Sequence, residues 1–232
     1  MNTFFGIIQN MSAILNEDES LHCVKVLRHK VGDIIRVIDG NGTVAVGKIE
    51  AAHAKQCAVS LVSKELIKPS RNYHLHIAIA PTKNIERTEW FVEKAVEIGI
   101  DEISLIRCKN SERTIVKEER LRKVAEAAVK QSQQAYLPVL NPLIDFKEFL
   151  KKESTGIKLI AHCVEEEKRI LKEFITVGQS FTVLIGPEGD FSKDEISMAL
   201  TAGFQPVTFG KSRLRTETAG LFACNAFAAI NC

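Results

Sequence analysis

The sequence predicts a protein with two parts, a small β-rich unit over residues 1–68 and a larger α/β unit over residues 73–232. In the first part, short runs of β-branched residues alternate with turn signals, which is typical of small antiparallel folds. In the second part, strand patterns alternate with helical patterns, which predicts a mostly parallel sheet with helices on both faces. Near the end of the chain, two glycine-bearing loops each follow a short apolar strand. Ligands bind at such positions in open α/β sheets.

The composition is that of an ordinary globular protein, with 45% hydrophobic and 26% charged residues and a net charge of +2 among 232 residues. No apolar run reaches the roughly 18 residues of a membrane span, and the N-terminus lacks the basic start of a signal peptide. We therefore expect a cytoplasmic protein with no membrane partner. The six cysteines include no Cys-x-x-Cys pair, so reduced thiols and no metal site are expected. Because no global basic field exists, any nucleic-acid surface must be a local patch.

The first part is predicted to contain strands at Thr3–Ile8, Ile34–Ile38, Thr43–Ile49 and Cys57–Val62. The dipeptide repeat Asp39-Gly40-Asn41-Gly42 lies between two of these runs and is a hairpin signal.

Basic residues of the first part are concentrated in the segment HCVKVLRHK, residues 22–30. Taken alone, Lys25, Arg28 and Lys30 favour a solvated basic face over a binding site. A proline and polar residues at 68–71 indicate a linker to the second part.

The second part is predicted to begin with a strand at His74–Ala80 and a helix at Asn84–Ile98, which Gly99 ends. Further strands are expected at Glu102–Arg107 and Ile157–Ala161, and further helices at Lys117–Gln134 and Asp145–Lys152. Two histidines, His74 and His76, alternate on one strand face and are more consistent with structural residues than with ligands.

The stretch after Phe181 carries the strongest signals. An apolar strand, Phe181–Ile185, runs into Gly186-Pro187-Glu188-Gly189, and Ser192 with Glu195 fits a capping box at the start of the next helix. Gly203 lies where this helix would end. Another strand at Pro206–Phe209 leads into the loop Gly210–Arg215.

The last predicted helix, Thr216–Ile230, is apolar almost all round. A helix of this composition must be buried in the core or by a partner.

Two motifs in this stretch, GPEGDFS and LRTETA, resemble those of the SPOUT methyltransferases, whose trefoil-knot domain binds S-adenosylmethionine. More narrowly, the chain resembles the bacterial family that methylates N3 of one uridine in 16S rRNA, uridine 1498. The resemblance implies a SPOUT trefoil-knot α/β domain and a PUA-like N-terminal β-barrel that binds RNA. It also implies a homodimer that acts on 16S rRNA within the 30S subunit.

Two other functions stay open from the sequence. The same fold could carry ribose 2′-O-methylation of RNA. A non-catalytic RNA-binding factor in ribosome assembly could also retain the cofactor loop.

The cofactor site implied by the resemblance is formed by the glycine-bearing loops, where the absence of Cβ atoms lets the backbone approach closely. Leu214 would cover the adenine, and Glu188 would order the loop or balance the sulfonium charge. The expected cofactor-binding residues are His162, Ile185, Gly186, Pro187, Glu188, Gly189, Gly210, Leu214 and Thr218. A structural role for His162 is an equal alternative.

Methylation of uracil N3 requires loss of its proton, because the neutral imide is a poor nucleophile. A base or a cation near the developing anion would supply this activation. The candidates are Arg215, whose planar fork suits two oxygens, and Glu217. The alternative role of Glu217 is a first-turn acid that complements the helix dipole. Neither residue is assigned as the base.

The RNA contacts that the resemblance implies are His22, Lys25, Arg28, Lys30, Arg113 and Gln131. Ser111-Glu112-Arg113 resembles the family's SER loop. Gln131-Ser132 resembles the start of a family motif that continues Gly-Arg, whereas this chain has Gln133-Gln134. The family's GPEGG also appears as GPEGD, and Asp190 is expected to favour the start of the helix that follows.

Overall fold

The computed structural model describes residues 1–69, 71–153, 156–165 and 167–231. It contains two compact units, one of Met1–Ser70 with Val129–Leu137, the other of Arg71–Ala128 with Pro138–Cys232. The boundary between these units falls near the predicted linker, and Ser70 and Cys232 lie outside the described residues. What the sequence did not indicate is that residues 129–137 belong with the first unit.

The first unit is a closed five-stranded barrel in the order β1-β2-β5-β4-β3. Closure leaves no unpaired sheet edge, which is the usual solution for a small all-β unit. The strands are β1 (Thr3–Gln9), β2 (Ser12–Leu15), β3 (Ile34–Ile38), β4 (Thr43–Ala51) and β5 (Ala58–Leu66). Four of them lie where the sequence predicts strands. The sequence did not predict β2, because this strand has only four residues and lies between a turn and an acidic segment.

Two local features shape the barrel. The predicted hairpin joins β3 and β4, with the Asp39 Oδ1 atom accepting from the amides of Asn41 at 2.8 Å and Thr43 at 2.9 Å. A short helix, α1 (Glu17–Leu21), continues into a π-helical turn, His22–Val26, between β2 and β3. The barrel interior is packed with apolar side chains, among them Phe4, Leu15, Ile35, Val37, Ile49 and Val59.

The second unit has a seven-stranded parallel sheet in the order β10-β12-β9-β11-β6-β7-β8. The strands are β6 (Leu75–Ile79), β7 (Glu102–Arg107), β8 (Val139–Asp145), β9 (Ile157–Ala161), β10 (Arg169–Ile170), β11 (Phe181–Ile185) and β12 (Gln205–Thr208). All five residues of β11 are buried, as expected for a central parallel strand covered on both faces.

Helices lie on both faces of this sheet, namely α2 (Ile85–Ile98), α4 (Phe146–Leu150), α5 (Lys193–Thr201) and α6 (Thr216–Asn231). A further helix, α3 (Glu118–Gln131), ends among the residues grouped with the first unit. One face carries a core that includes Phe146, Phe149, Phe191 and Ile196. On α6, the ring of Phe227 lies 4.3 Å from that of Phe181 on β11.

Several helix ends follow the predicted signals. Asn84 caps α2, Gly99 ends it in a left-handed conformation, and Ser192 with Glu195 forms a complete capping box on α5. The third helix is shorter than the predicted Lys117–Gln134, because the backbone turns left-handed at Gln133, where φ is +58°. No helix in the described ranges has the length and apolar character needed to cross a bilayer.

Candidate active site

A cavity lies at the carboxyl ends of β9, β11 and β12, which are neighbours in the sheet. Its volume is about 760 Å³, within the range of roughly 300–1,000 Å³ typical of small-molecule sites. Its wall is formed by residues 161–165, Lys168, 185–188, Asp190, 207–216 and Ala219. The position agrees with the rule that open α/β sheets bind ligands beyond the carboxyl ends of their strands.

Most of the residues expected at the cofactor border this cavity, namely His162, Ile185, Gly186, Pro187, Glu188, Gly210 and Leu214. Gly189 and Thr218 are not part of its wall. Cys163 and Lys168 also border the cavity. They follow β9, and the sequence does not reveal that β9 pairs with β11.

The loop after β11 is fixed to the start of α6. The buried Thr216 hydroxyl donates to the Gly186 carbonyl at 3.0 Å. The Asp190 amide donates to the Pro187 carbonyl at 2.9 Å and closes a turn. Hydrogen bonds therefore hold the loop after β11 in place at the cavity.

Glu188 links this loop to the loop after β6. Its Oε1 atom accepts from the Lys83 amide, in the loop after β6, at 2.9 Å. That loop is held in turn by Arg113, whose guanidinium donates to the carbonyls of Thr82 at 3.0 Å and Lys83 at 2.6 Å. The Lys83 side chain pairs with Glu112 at 2.7 Å, and this hydrogen bond raises the pKa of Lys83. At least two donors of Arg113, which is predicted to contact RNA, are thus used within the protein.

Gly189 faces away from the cavity and toward Asn110. A Cβ atom at position 189 would lie 3.1 Å from the Asn110 Cβ. The Asn110 amide donates to the carbonyls of Gly189 at 3.1 Å and Asp190 at 3.0 Å. The glycine is therefore needed for a close approach between two loops and not for contact with a ligand in the cavity.

The second glycine-bearing loop, residues 209–215, forms the opposite wall. Gly210 has φ of +120°, a conformation that L side chains rarely adopt. Three exposed basic side chains follow on this wall, Lys211, Arg213 and Arg215.

The two candidate catalytic residues, Arg215 and Glu217, differ in their position relative to the cavity. Arg215 is exposed and lines the cavity. Glu217 is only 8% exposed and lies outside the cavity wall, with Oε1 3.8 Å from the Arg87 guanidinium on α2. Its buried Oε2 atom has no hydrogen-bond partner. The Glu217 side chain therefore lies next to Arg87 on α2. Of the two candidates, only Arg215 borders the cavity.

The candidate RNA-binding residues of the barrel are all exposed. His22 and Lys25 lie in the π-helical turn, a feature that often marks functional sites. Arg28 has φ of +59°, which is uncommon for a residue other than glycine. The Lys30 amide donates to the Asp33 carboxylate at 3.0 Å, which closes the loop.

Gln131 is exposed at the end of α3, two residues before the left-handed Gln133. A glycine adopts this conformation at little cost, which explains why glycine suits the position in the motif. Here the Gln133 carbonyl accepts from the Arg36 guanidinium at 3.2 Å. Among the residues that the structure describes, no cluster of three or more His, Cys, Asp or Glu is arranged to hold a metal ion.

Comparison with known protein families agrees with this geometry. Residues 69–228 match the model of an RNA methyltransferase domain, and residues 15–62 match that of an RNA methyltransferase PUA domain. Ribosomal RNA small subunit methyltransferase E of Mesomycoplasma hyopneumoniae is 33% identical over 161 residues, which are 67% of this chain and 68% of the relative. The protein of the same name from Rickettsia conorii is 28% identical over 220 residues, covering 94% of this chain and 89% of the relative.

Solved structures show the same likeness over the whole chain. The crystal structure of a probable rRNA methyltransferase from Porphyromonas gingivalis is 42% identical, with a TM-score of 0.89 and coverage of 100% of this chain and 98% of the other. That of ribosomal RNA small subunit methyltransferase E from Neisseria gonorrhoeae, bound to S-adenosylmethionine, is 26% identical, with a TM-score of 0.82 and the same coverage.

The barrel, the parallel sheet and the cavity together define a methyltransferase of the SPOUT trefoil-knot class with an N-terminal PUA-like domain, as the sequence motifs predicted. The chain belongs to the RNA methyltransferase family, in the group of the small-subunit rRNA methyltransferases E.

Proposed function

We propose that this enzyme transfers the methyl group of S-adenosylmethionine to N3 of a uridine in 16S rRNA, the uridine at position 1498 that the family resemblance implies. The observation that carries the proposal is the cavity at the carboxyl edge of the sheet, bordered by both glycine-bearing loops. The names of the relatives support small-subunit rRNA as the substrate.

The residues of the cavity fit this cofactor. Apolar side chains, among them Ile185, Val207 and Leu214, offer a surface for the adenine ring. The carboxylate of Glu188 supplies negative charge that complements a sulfonium. The backbone groups of the two loops can bind the polar edges of the adenine and the ribose.

Arg215 is the residue that we assign to the target base. When N3 of uracil loses its proton and takes the methyl group, negative charge develops on the neighbouring carbonyl oxygens before the product becomes neutral. A fixed guanidinium near those oxygens stabilises this charge in the transition state. Glu217 is buried against Arg87 and does not border the cavity, which argues against direct proton transfer through it.

RNA is bound, in this proposal, by exposed basic residues of the barrel, with His22, Lys25, Arg28 and Lys30 as contacts, and also by Arg113 and Gln131. Replacement of Arg28 by alanine is expected to weaken RNA binding and to lower the salt slope by about one unit, because one fewer phosphate contact is made. Filter binding over a series of salt concentrations measures both quantities.

We also infer a homodimer that forms through α6 and acts in the cytoplasm. The outer face of α6 is exposed and includes Phe222 and Ile230, and the Phe222 ring lies 5.4 Å from that of Phe209 at the cavity wall. Sedimentation at micromolar concentration should give a dimer, and Phe222→Glu should dissociate it. The matched change Ile115→Glu, at a side chain that is 77% exposed, should leave it intact.

The function is tested by nucleoside mass spectrometry. Incubation of 30S subunits from cells that lack this gene with the purified protein and S-adenosylmethionine should produce N3-methyluridine in 16S rRNA. A ribose 2′-O-methylated nucleoside would assign a different reaction to the same fold. Failure of the protein to bind S-adenosylmethionine in calorimetry would favour the non-catalytic assembly factor.

A further inference from the structure

Asp190 adopts a backbone conformation that is uncommon for residues other than glycine. Its φ is +62°, and within the described ranges only three other residues besides glycines have positive φ, namely Asn10, Arg28 and Gln133. The left-handed region disfavours L-residues, although Asp and Asn tolerate it better because their side chains can form local hydrogen bonds. A glycine would avoid this cost altogether.

The carboxylate of Asp190 joins two loops. Its Oδ2 atom accepts from the Cys163 amide at 2.8 Å, and its Oδ1 atom accepts from the Phe191 amide at 2.8 Å. Cys163 follows β9 and Asp190 follows β11, and these strands are neighbours in the sheet. Both residues border the 760 Å³ cavity, so the bond from Asp190 to the Cys163 amide fixes the distance between two of its walls.

The loop after β9 is held at consecutive backbone groups. The Lys168 Nζ atom donates to the carbonyls of His162 and Val164, each at 2.7 Å. Asp190 accepts from the amide of the residue between them. A carboxylate and an ammonium therefore fix three successive residues of the wall, and hydrogen bonds to charged groups are the stronger ones in proteins.

We propose that Asp190 is a positioning residue that joins the loop after β9 to the loop after β11 and thereby sets the affinity of the cavity for the cofactor. The assignment rests on the proposed function, because the ligand of the cavity is taken to be S-adenosylmethionine. The role needs both a residue that tolerates the left-handed region and two acceptor oxygens. Glycine provides only the first property, alanine neither, and asparagine the first with a single acceptor oxygen.

The test uses the full-length protein and the variants Asp190→Gly and Asp190→Asn. Calorimetry measures the affinity for S-adenosylmethionine, and hydrogen exchange measures protection of the Cys163 amide in the ligand-free protein. Asp190→Gly should weaken binding about tenfold and speed exchange at Cys163 by a similar factor, while amides of β6 and β7 keep their rates. For both quantities, Asp190→Asn should give values between those of the unmodified protein and those of Asp190→Gly. The control is Asp194→Asn, which removes an exposed charge in the first turn of α5 and should change neither quantity.

The outcomes separate this inference from the proposed function. If the unmodified protein does not bind S-adenosylmethionine, the proposed function is wrong and the inference falls with it. If it binds, but Asp190→Gly keeps its affinity and its exchange rate at Cys163, Asp190 is not the positioning residue and the cofactor assignment stands. Equal losses in Asp190→Asn and Asp194→Asn would also overturn the inference, because they would assign the effect to net charge.

Discussion

The two ends of the parallel sheet differ in how they use polar side chains. At the amino end, a small cavity of about 190 Å³ is lined by His76, Glu102, Ser104 and Asn141. These side chains bond one another. The Asn141 amide donates to Glu102 at 2.6 Å and to Ser104 at 3.0 Å, and the Ser104 hydroxyl lies 2.8 Å from the His76 Nε2 atom.

At the carboxyl end, the polar side chains bond backbone groups of loops. Glu188 accepts from the Lys83 amide, Asn110 donates to two successive carbonyls, and Asp190 accepts from the Cys163 amide. These bonds hold the loops in fixed positions around the larger cavity. The comparison indicates that polar side chains alone do not identify the site. A cluster that satisfies itself stabilises the fold, whereas side chains that hold backbone loops in place create space for a ligand.

The largest effect is expected for Arg215→Ala at the carboxyl end. The affinity for S-adenosylmethionine should stay nearly unchanged, and the single-turnover methylation rate should fall by roughly 10², the scale for loss of one donor to a developing anion. Arg215→Lys should recover little, because a point charge does not replace a planar fork. Rapid-quench assays on 30S subunits measure the rate.

The control for this change is Arg213→Ala, which removes the same charge from the same wall of the cavity. A full rate for Arg215→Ala at saturating 30S would show that Arg215 only contacts RNA, and it would then leave the list of catalytic residues.

A smaller effect is expected for Gly189→Val, which acts on the cavity from outside. The new side chain would collide with Asn110, displace the loop and weaken S-adenosylmethionine binding by more than about tenfold. Asn110→Ala, which removes two hydrogen bonds without a collision, should weaken binding less. Unchanged calorimetric affinity in a folded Gly189→Val protein would refute the placement of the cofactor beside this loop.

Cysteine alkylation compares exposure at the cavity with burial elsewhere. Cys163 is exposed at the cavity wall, and S-adenosylmethionine at ten times its Kd should slow its alkylation about tenfold. Cys23 is buried in the barrel, and burial raises its pKa to about 12, so the reactive thiolate is scarce and little labelling is expected. Peptide mass spectrometry measures both sites, and labelling of Cys163 at an equal rate with and without ligand would contradict the assignment of the cavity.

The smallest effect is expected at the amino end, in the pH dependence of stability. Burial lowers the pKa of His76, and the nearby Glu102 opposes this shift only in part. Below its ordinary pKa near 6.5, the unfolded chain binds a proton that the folded protein does not, so stability falls as the pH drops. The decline should be at most about 1.4 kcal/mol per pH unit.

His76→Gln should remove this part of the pH dependence and leave the affinity for S-adenosylmethionine unchanged, as measured by urea unfolding and calorimetry between pH 7 and about pH 5. The control is His74→Gln, at a side chain that is 47% exposed. A loss of cofactor affinity in His76→Gln would show that the two ends of the sheet are coupled.

The elements closest to the site were largely predictable, because each depends on neighbours in sequence. A five-residue apolar run, a turn with glycine and proline, and a capping box identify β11, its loop and the start of α5 from local chemistry. The motifs GPEGDFS and LRTETA overlap the two loops that border the cavity.

The sequence by itself thus predicted a two-part organisation, a mostly parallel sheet and the two loops that border the cavity. Only the tertiary structure decided which strands are neighbours, and with them the position of Lys168 at the cavity, the pairing of Glu217 with Arg87, and the place of residues 129–137 in the barrel unit. The physical reason is that hydrophobic pattern and turn chemistry act over a few residues. The order of strands in a sheet depends instead on contacts between segments far apart in the chain, which an apolar run does not specify.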